Sequence, residues 1–181
     1  MCGIVGAVGQ RNVTGILVEG LKRLEYRGYD SAGLALINRK DKGLSSVKTV
    51  GKVKALEERL AETPLDGATG IAHTRWATHG KPTENNAHPH VSHDRIALVH
   101  NGIIENHLTL KDELKKKGYK FITETDTEVI VHLIHMFLVE EDMTFFDAVT
   151  RTISLLDGAY GLAVIDKEDP KRIIVARSGS P

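Results

Sequence analysis

The sequence predicts an α+β domain of stacked sheets and helices rather than a strictly alternating βαβ fold. Three observations point there. The chain has 181 residues, the length of one domain. Strand-like segments open and close it, with helical patterns set between them, which is the order expected of stacked layers. No internal repeat, low-complexity tract or linker divides it, so residues 1–181 read as one unit. Hydrophobic residues are 41% and charged residues 27%, which supplies a sizeable core and argues against disorder.

The elements follow in order. Residues 3–9 read as a strand of small residues, and 12–26 as a helix, with Val13, Ile16, Leu17, Leu21 and Leu24 at helical spacing. Arg27 to Ser31 breaks that pattern as a loop. Strands are expected from Ala32 to Asn38 and from Ser46 to Gly51, then a charged amphipathic helix over 52–62, stopped before Pro64. Ala68 to Arg75 reads as a buried strand. Residues 76–93 hold Gly80, Pro82, Asn85, Asn86 and Pro89 without a steady period, the pattern of a long functional loop. Arg95 to His100 is a strand expected to end at Asn101-Gly102. A helix over about 106–117 closes on three lysines and Gly118. Thr125 and Glu128 have capping-box spacing ahead of an apolar helix. A further helix spans roughly 144–156, and strands over about 159–166 and 172–177 end the chain.

Composition excludes several classes. Lys plus Arg and Asp plus Glu are both 24, so net charge gives no reason to expect nucleic-acid binding. No apolar run approaches the ~18 to 20 residues of a membrane span. The N-terminus lacks a basic region, and Arg11 cuts its apolar stretch short, so no signal peptide is expected. The single cysteine, Cys2, precludes an intrachain disulfide and suits a reducing cytoplasm.

Five places could carry chemistry, each with a plainer alternative. Cys2 is a small buried residue or, once Met1 is removed, a nucleophile with its own α-amine as base. That amine titrates near ~7.7 to 8. Arg75 either pairs with a structural carboxylate or clamps a substrate carboxylate. Trp76, at a loop start, is core or gate. Asn101-Gly102 is a turn or an oxyanion hole built from a side-chain amide and a backbone N–H. Asp126 interacts with a helix dipole or binds a substrate ammonium. Seven of nine histidines lie between His73 and His107, but their spacing matches no zinc site. Core or surface histidines are the reading taken, and no metal is expected.

Five blocks occur in order: Met1-Cys2-Gly3-Ile4-Val5-Gly6, Arg27 to Gly33, His73 to Gly80, His100 to Asn106, and Glu124 to Glu128. Together they resemble the N-terminal-nucleophile (class II) glutamine amidotransferases, and within them the glutaminase domain of the glutamine–fructose-6-phosphate aminotransferases. Purine-pathway members usually carry a different residue pair after Arg27-Gly28. The resemblance implies a four-layer αββα sandwich of the N-terminal-nucleophile hydrolase type. It makes Cys2 the nucleophile toward the glutamine δ-carboxamide, with Asn101 and Gly102 as oxyanion hole. It gives Arg75 the α-carboxylate and Asp126 the α-ammonium, puts Thr78 and His79 in a loop closing over glutamine, and makes Trp76 a gate for ammonia. No cofactor is implied. In the full-length enzyme it implies a homodimer and a separate sugar isomerase half that binds fructose 6-phosphate and makes glucosamine 6-phosphate. Residues 1–181 then read as a C-terminally truncated glutaminase domain without that half. Three alternatives stand beside this reading: a catalytically silent or regulatory domain of the same fold, the glutaminase domain of another amidotransferase, and a His-rich metal-binding module.

Overall fold

Small and apolar residues after Cys2 form strand β1 (Gly3–Val8), and an apolar stripe folds the next segment into helix α1 (Thr14–Leu24). The computed structural model describes residues 2–76 and 80–179. Asn12 starts α1, its Oδ1 accepting from the Thr14 N–H at 3.1 Å and the Thr14 hydroxyl at 2.7 Å. The helix ends earlier than the sequence predicts, because Glu25–Arg27 tightens into a 3-10 turn closed by Gly28 at φ 72°. Strands β2 (Ser31–Asn38) and β3 (Leu44–Val50), helix α2 (Val53–Glu62) and strand β4 (Gly67–Arg75) complete the first half. The sheet is antiparallel in the order β1-β4-β2-β3.

The second half builds its own sheet. Strands β5 (His90–Ser92), β6 (Ile96–Ile104), β7 (Gly158–Asp166) and β8 (Ile174–Ser178) pair antiparallel in that order. Helices α3 (His107–Lys116), α4 (Glu128–Glu140) and α5 (Phe145–Ile153) cover its outer face. Thr144 caps α5 by accepting from the Asp147 N–H at 3.2 Å.

Side-chain alternation produces the layers. Ala35, Ile37, Ile71, Ala97, Val99, Ala163 and Ile165 point between the sheets and are buried there. On the other face of β2, Leu34 and Leu36 meet Leu17, Leu21, Val53 and Leu56 of α1 and α2. Leu98, Leu162 and Val164 meet Ile130, Ile134 and Phe137 of α4. Fully burying one such aliphatic side chain contributes about 1.5–3 kcal/mol. The result is the α+β, αββα sandwich implied by the resemblance.

Three local expectations are corrected. The loop over 76–93 ends in a strand, β5, where His90 pairs with Leu98. Next, β6 does not end at Asn101-Gly102. It continues to Ile104, with Asn101 opposite Gly161 and Gly102 opposite Tyr160. The positive φ that makes Asn-Gly a turn signal is present at Gly102 (131°), but here it lies within a paired strand. Finally, Thr125 and Glu128 form no capping box. The cap position of α4 is Thr127, and Glu128 reaches back to the Ile122 and Thr123 N–H groups instead.

Candidate active site

The two sheets meet at a cavity of about 220 Å³, whose lining includes Cys2, Arg75, Trp76, Gly102 and Asp126. Each side chain reaches it from a different segment. Pairing of Gly3 with Thr74 sets Cys2, just ahead of β1, beside the end of β4. There the Trp76 N–H donates to Cys2 Sγ at 3.2 Å. Burial pushes the Cys2 thiol up, and the Trp76 N–H opposes that by favouring the thiolate. At neutral pH the thiol therefore needs a base to ionise it.

Arg75 ends β4 and is buried, with Nη2 donating to the Gly80 carbonyl at 3.5 Å. Trp76 follows it and is 54% exposed, so it is rim rather than core. Asp126 enters from the loop before α4. It is buried, and its Oδ2 accepts from the Ile104 N–H at 2.7 Å, which fixes the carboxylate against the end of β6. One wall thus carries a guanidinium and another a carboxylate, an arrangement suited to a zwitterion.

Asn101 and Gly102 lie side by side in β6. The Asn101 Nδ2 donates to the Cys2 carbonyl at 3.3 Å, which brings the amide to the cysteine. Only glycine fits at 102: an added Cβ would fall 2.0 Å from the Ala159 carbonyl oxygen. Thr78 and His79, the remaining expected site residues, lie outside the described residues.

Sequence reasoning missed the floor of the site. His73, His88, His90 and His100 are buried together, with His73 and His88 stacked at 4.3 Å and His88 and His100 lining the cavity. Burial pushes His73 down to about 3, partly countered by its hydrogen bond to Asn101, so its ring is neutral. Burial also holds His88 and His90 well below the usual histidine range, reinforced at His88 by the other histidines and at His90 first by Lys48. The crowding of histidines after residue 73 was the signal, but it does not say which of them share a cavity floor. No group of His, Cys, Asp or Glu among the described residues has a metal-holding arrangement.

Asn86 and Glu124 were also missed. Asn86 donates to Glu124 Oε2 at 2.9 Å and accepts from the Glu124 N–H at 2.9 Å. That exchange ties the loop after Gly80 to the segment carrying Asp126. Among the described residues, no helix is long and apolar enough to cross a membrane.

The chain is 61% identical over its whole length to a glutamine–fructose-6-phosphate aminotransferase (isomerizing) of Pseudomonas aeruginosa, and 60% identical to that of Shewanella oneidensis. It spans 29% of the length of each of these curated relatives. Among solved structures, glutamine phosphoribosylpyrophosphate amidotransferase from B. subtilis matches 98% of this chain and 37% of its own, at 27% identity and a TM-score of 0.81. A family described as a glutamine amidotransferase domain matches residues 73–179, which hold Arg75, Asn101, Gly102 and Asp126, and the chain belongs to that glutamine amidotransferase family.

Proposed function

We propose that this chain hydrolyses glutamine to glutamate and ammonia with Cys2 as the nucleophile. One observation carries the reading: a cysteine at position 2 opens on the same cavity as a buried arginine and a buried aspartate. The cavity is smaller than the ~300–1,000 Å³ of drug-sized pockets, which suits a single amino acid. Arg75 takes the α-carboxylate and Asp126 the α-ammonium. The side-chain amide then lies toward Cys2.

The steps balance as follows. With Met1 removed, the free α-amine of Cys2 takes the thiol proton, directly or through a water. The thiolate adds to the δ-carbon, and the carbonyl electron pair moves to oxygen. The Asn101 Nδ2–H and the Gly102 N–H stabilise that oxyanion. The α-ammonium of Cys2 returns its proton to the amide nitrogen, the C–N bond breaks, and ammonia leaves a thioester. Water, deprotonated by the same amine, attacks the thioester and releases glutamate and the thiol. While Met1 remains, the Cys2 nitrogen is an amide and cannot act as the base.

Relatives at 60% identity or more over the whole chain favour the sugar-phosphate branch over the purine branch. In this reading residues 1–181 are the glutaminase part of a longer cytoplasmic homodimer. Its ammonia aminates fructose 6-phosphate to glucosamine 6-phosphate on a separate isomerase domain. Trp76 gates the exit, and Thr78 and His79 belong to the closing loop.

The test is an intact mass spectrum after incubation with a glutamine-mimicking diazoketone. Expected are loss of Met1 and one covalent adduct, blocked by excess glutamine and absent in Cys2→Ala. A processed, folded chain that gains no adduct overturns the proposal.

A further inference from the structure

The oxyanion role given to Asn101 depends on which end of its amide faces the substrate. The two ends have nearly the same shape, and a flip would present oxygen to a developing negative charge. We infer that His73 is a positioning residue for the hydrolysis proposed above: its Nε2–H, held against Asn101 Oδ1, keeps Nδ2 turned toward Cys2 and the reacting carbonyl. The inference rests on that reading of the site and adds a residue to it.

Two contacts decide the orientation. The Cys2 carbonyl can only accept, so the Asn101 atom 3.3 Å from it is Nδ2. The other end, Oδ1, lies 2.6 Å from His73 Nε2, which must therefore donate. The second contact is the shorter, and it comes from the more rigid partner. His73 lies within β4, paired with Ile4 on one side and Gly33 on the other. Its ring is stacked on His88, whose Nδ1 accepts from the His100 N–H at 3.1 Å. Cys2, by contrast, lies outside the strand and carries the reacting atom. The other His73 nitrogen, Nδ1, is buried with no hydrogen-bond partner among the described residues. That suits a neutral ring with its one proton on Nε2, since a bare lone pair needs no acceptor. Donation to Oδ1 also polarises the amide and strengthens Nδ2–H as a donor.

The test is glutamine hydrolysis by His73→Phe, His73→Gln, Asn101→Ala and the His73→Phe/Asn101→Ala double variant of this chain. Phenylalanine keeps the ring and loses the donor. It should lower kcat by about 10- to 100-fold while KM shifts by no more than about twofold, because one buried hydrogen bond is lost and the α-group clamps are untouched. Glutamine places an N–H near the position of Nε2 and should recover most of kcat. In the Asn101→Ala background His73→Phe should cost nothing further, because its effect runs through Asn101. Equal costs in both backgrounds, or no recovery with His73→Gln, would assign His73 to packing and overturn the inference alone. If Asn101→Ala leaves hydrolysis unchanged, the oxyanion reading falls and takes this inference with it. Should His73→Phe fail to fold, nitrogen-15 NMR of the unaltered protein decides. A neutral Nε2–H tautomer is expected, and an Nδ1–H tautomer refutes the inference.

Discussion

The two sheets supply the cavity in different ways. The β1-β4-β2-β3 sheet offers side chains at strand ends, Cys2 ahead of β1 and Arg75 closing β4. The β5-β6-β7-β8 sheet offers the interior of a strand, Gly102 on the cavity wall and Asn101 beside it on the Cys2 carbonyl, both paired with β7. A strand end can change its side chain with little damage to the ladder. In a strand interior, chemistry and stability are set by the same atoms. Substitutions on the two sides should therefore differ in kind, and paired glycine variants expose the contrast most sharply. At Gly102 an added Cβ lies 2.0 Å from a backbone oxygen, and φ is 131°. Gly102→Ala should lose about 2 kcal/mol or more of stability. In whatever fraction folds, hydrolysis should fall on the order of 10²- to 10³-fold. At Gly3 the added Cβ meets the Leu24 Cδ1 methyl at 2.7 Å, which can rotate away, and the Thr74 hydroxyl and Leu24 Cβ at 3.0 and 3.2 Å, which need give by only a few tenths of an ångström. Gly3→Ala should cost only about 1 kcal/mol. Urea unfolding of both variants measures the difference, and equal losses would erase the distinction.

A smaller effect is expected at Asp126, which serves chemistry and sheet at once. Its Oδ2 accepts the Ile104 N–H, and the Oδ1 of an asparagine can keep that bond while the negative charge is lost. Asp126→Asn should therefore fold normally and raise KM for glutamine by about 10- to 100-fold, the cost of one charge-assisted hydrogen bond. kcat should change far less. Against this variant, glutamine should lose most of its advantage over a des-amino analogue. A fall in kcat with KM unchanged would remove Asp126 from the ammonium clamp.

Much of this was legible in the sequence, for identifiable reasons. The α1 and α4 patterns are long and apolar enough for periodicity to place them. Cys2, Arg75, Asn101, Gly102 and Asp126 stand in the blocks that carry the family resemblance, and a shared site was what that resemblance implied. What failed was local chemistry overridden by long-range packing. Asn101-Gly102 has turn chemistry, yet β7 pairs along both residues. Thr125 has cap chemistry, but its hydroxyl lies 3.0 Å from the Thr123 hydroxyl and 3.2 Å from His90 Nε2, a contact that no local window contains. Gly33 was legible only as part of a block. An added Cβ there would sit 2.2 Å from the His88 carbonyl oxygen, so β2 makes room for the turn that carries the histidine floor.

The smallest effect on catalysis, at Glu128, separates stability from chemistry on the second sheet's side. Glu128 is buried at the start of α4 and accepts from the Ile122 N–H at 3.0 Å, the Thr123 N–H at 2.9 Å and the Thr123 hydroxyl at 2.7 Å. Burial alone would raise its carboxyl, but His132, Ile122 and Thr123 outweigh that and bring it from 4.5 down to about 2. The unfolded chain therefore binds this proton first as pH falls. The stabilisation is complete above about pH 4.5 and is lost as pH falls toward 2. At neutral pH such a shift is worth about 3 kcal/mol. Glu128→Gln should be less stable by about that amount at pH 7, with the gap to the unaltered protein closing as pH approaches 2. Thermal unfolding across that range measures it, and a gap that stays constant would assign the cost to packing instead. KM for glutamine should rise less than in Asp126→Asn, because Glu128 anchors the backbone three to four residues before Asp126 and not the carboxylate itself.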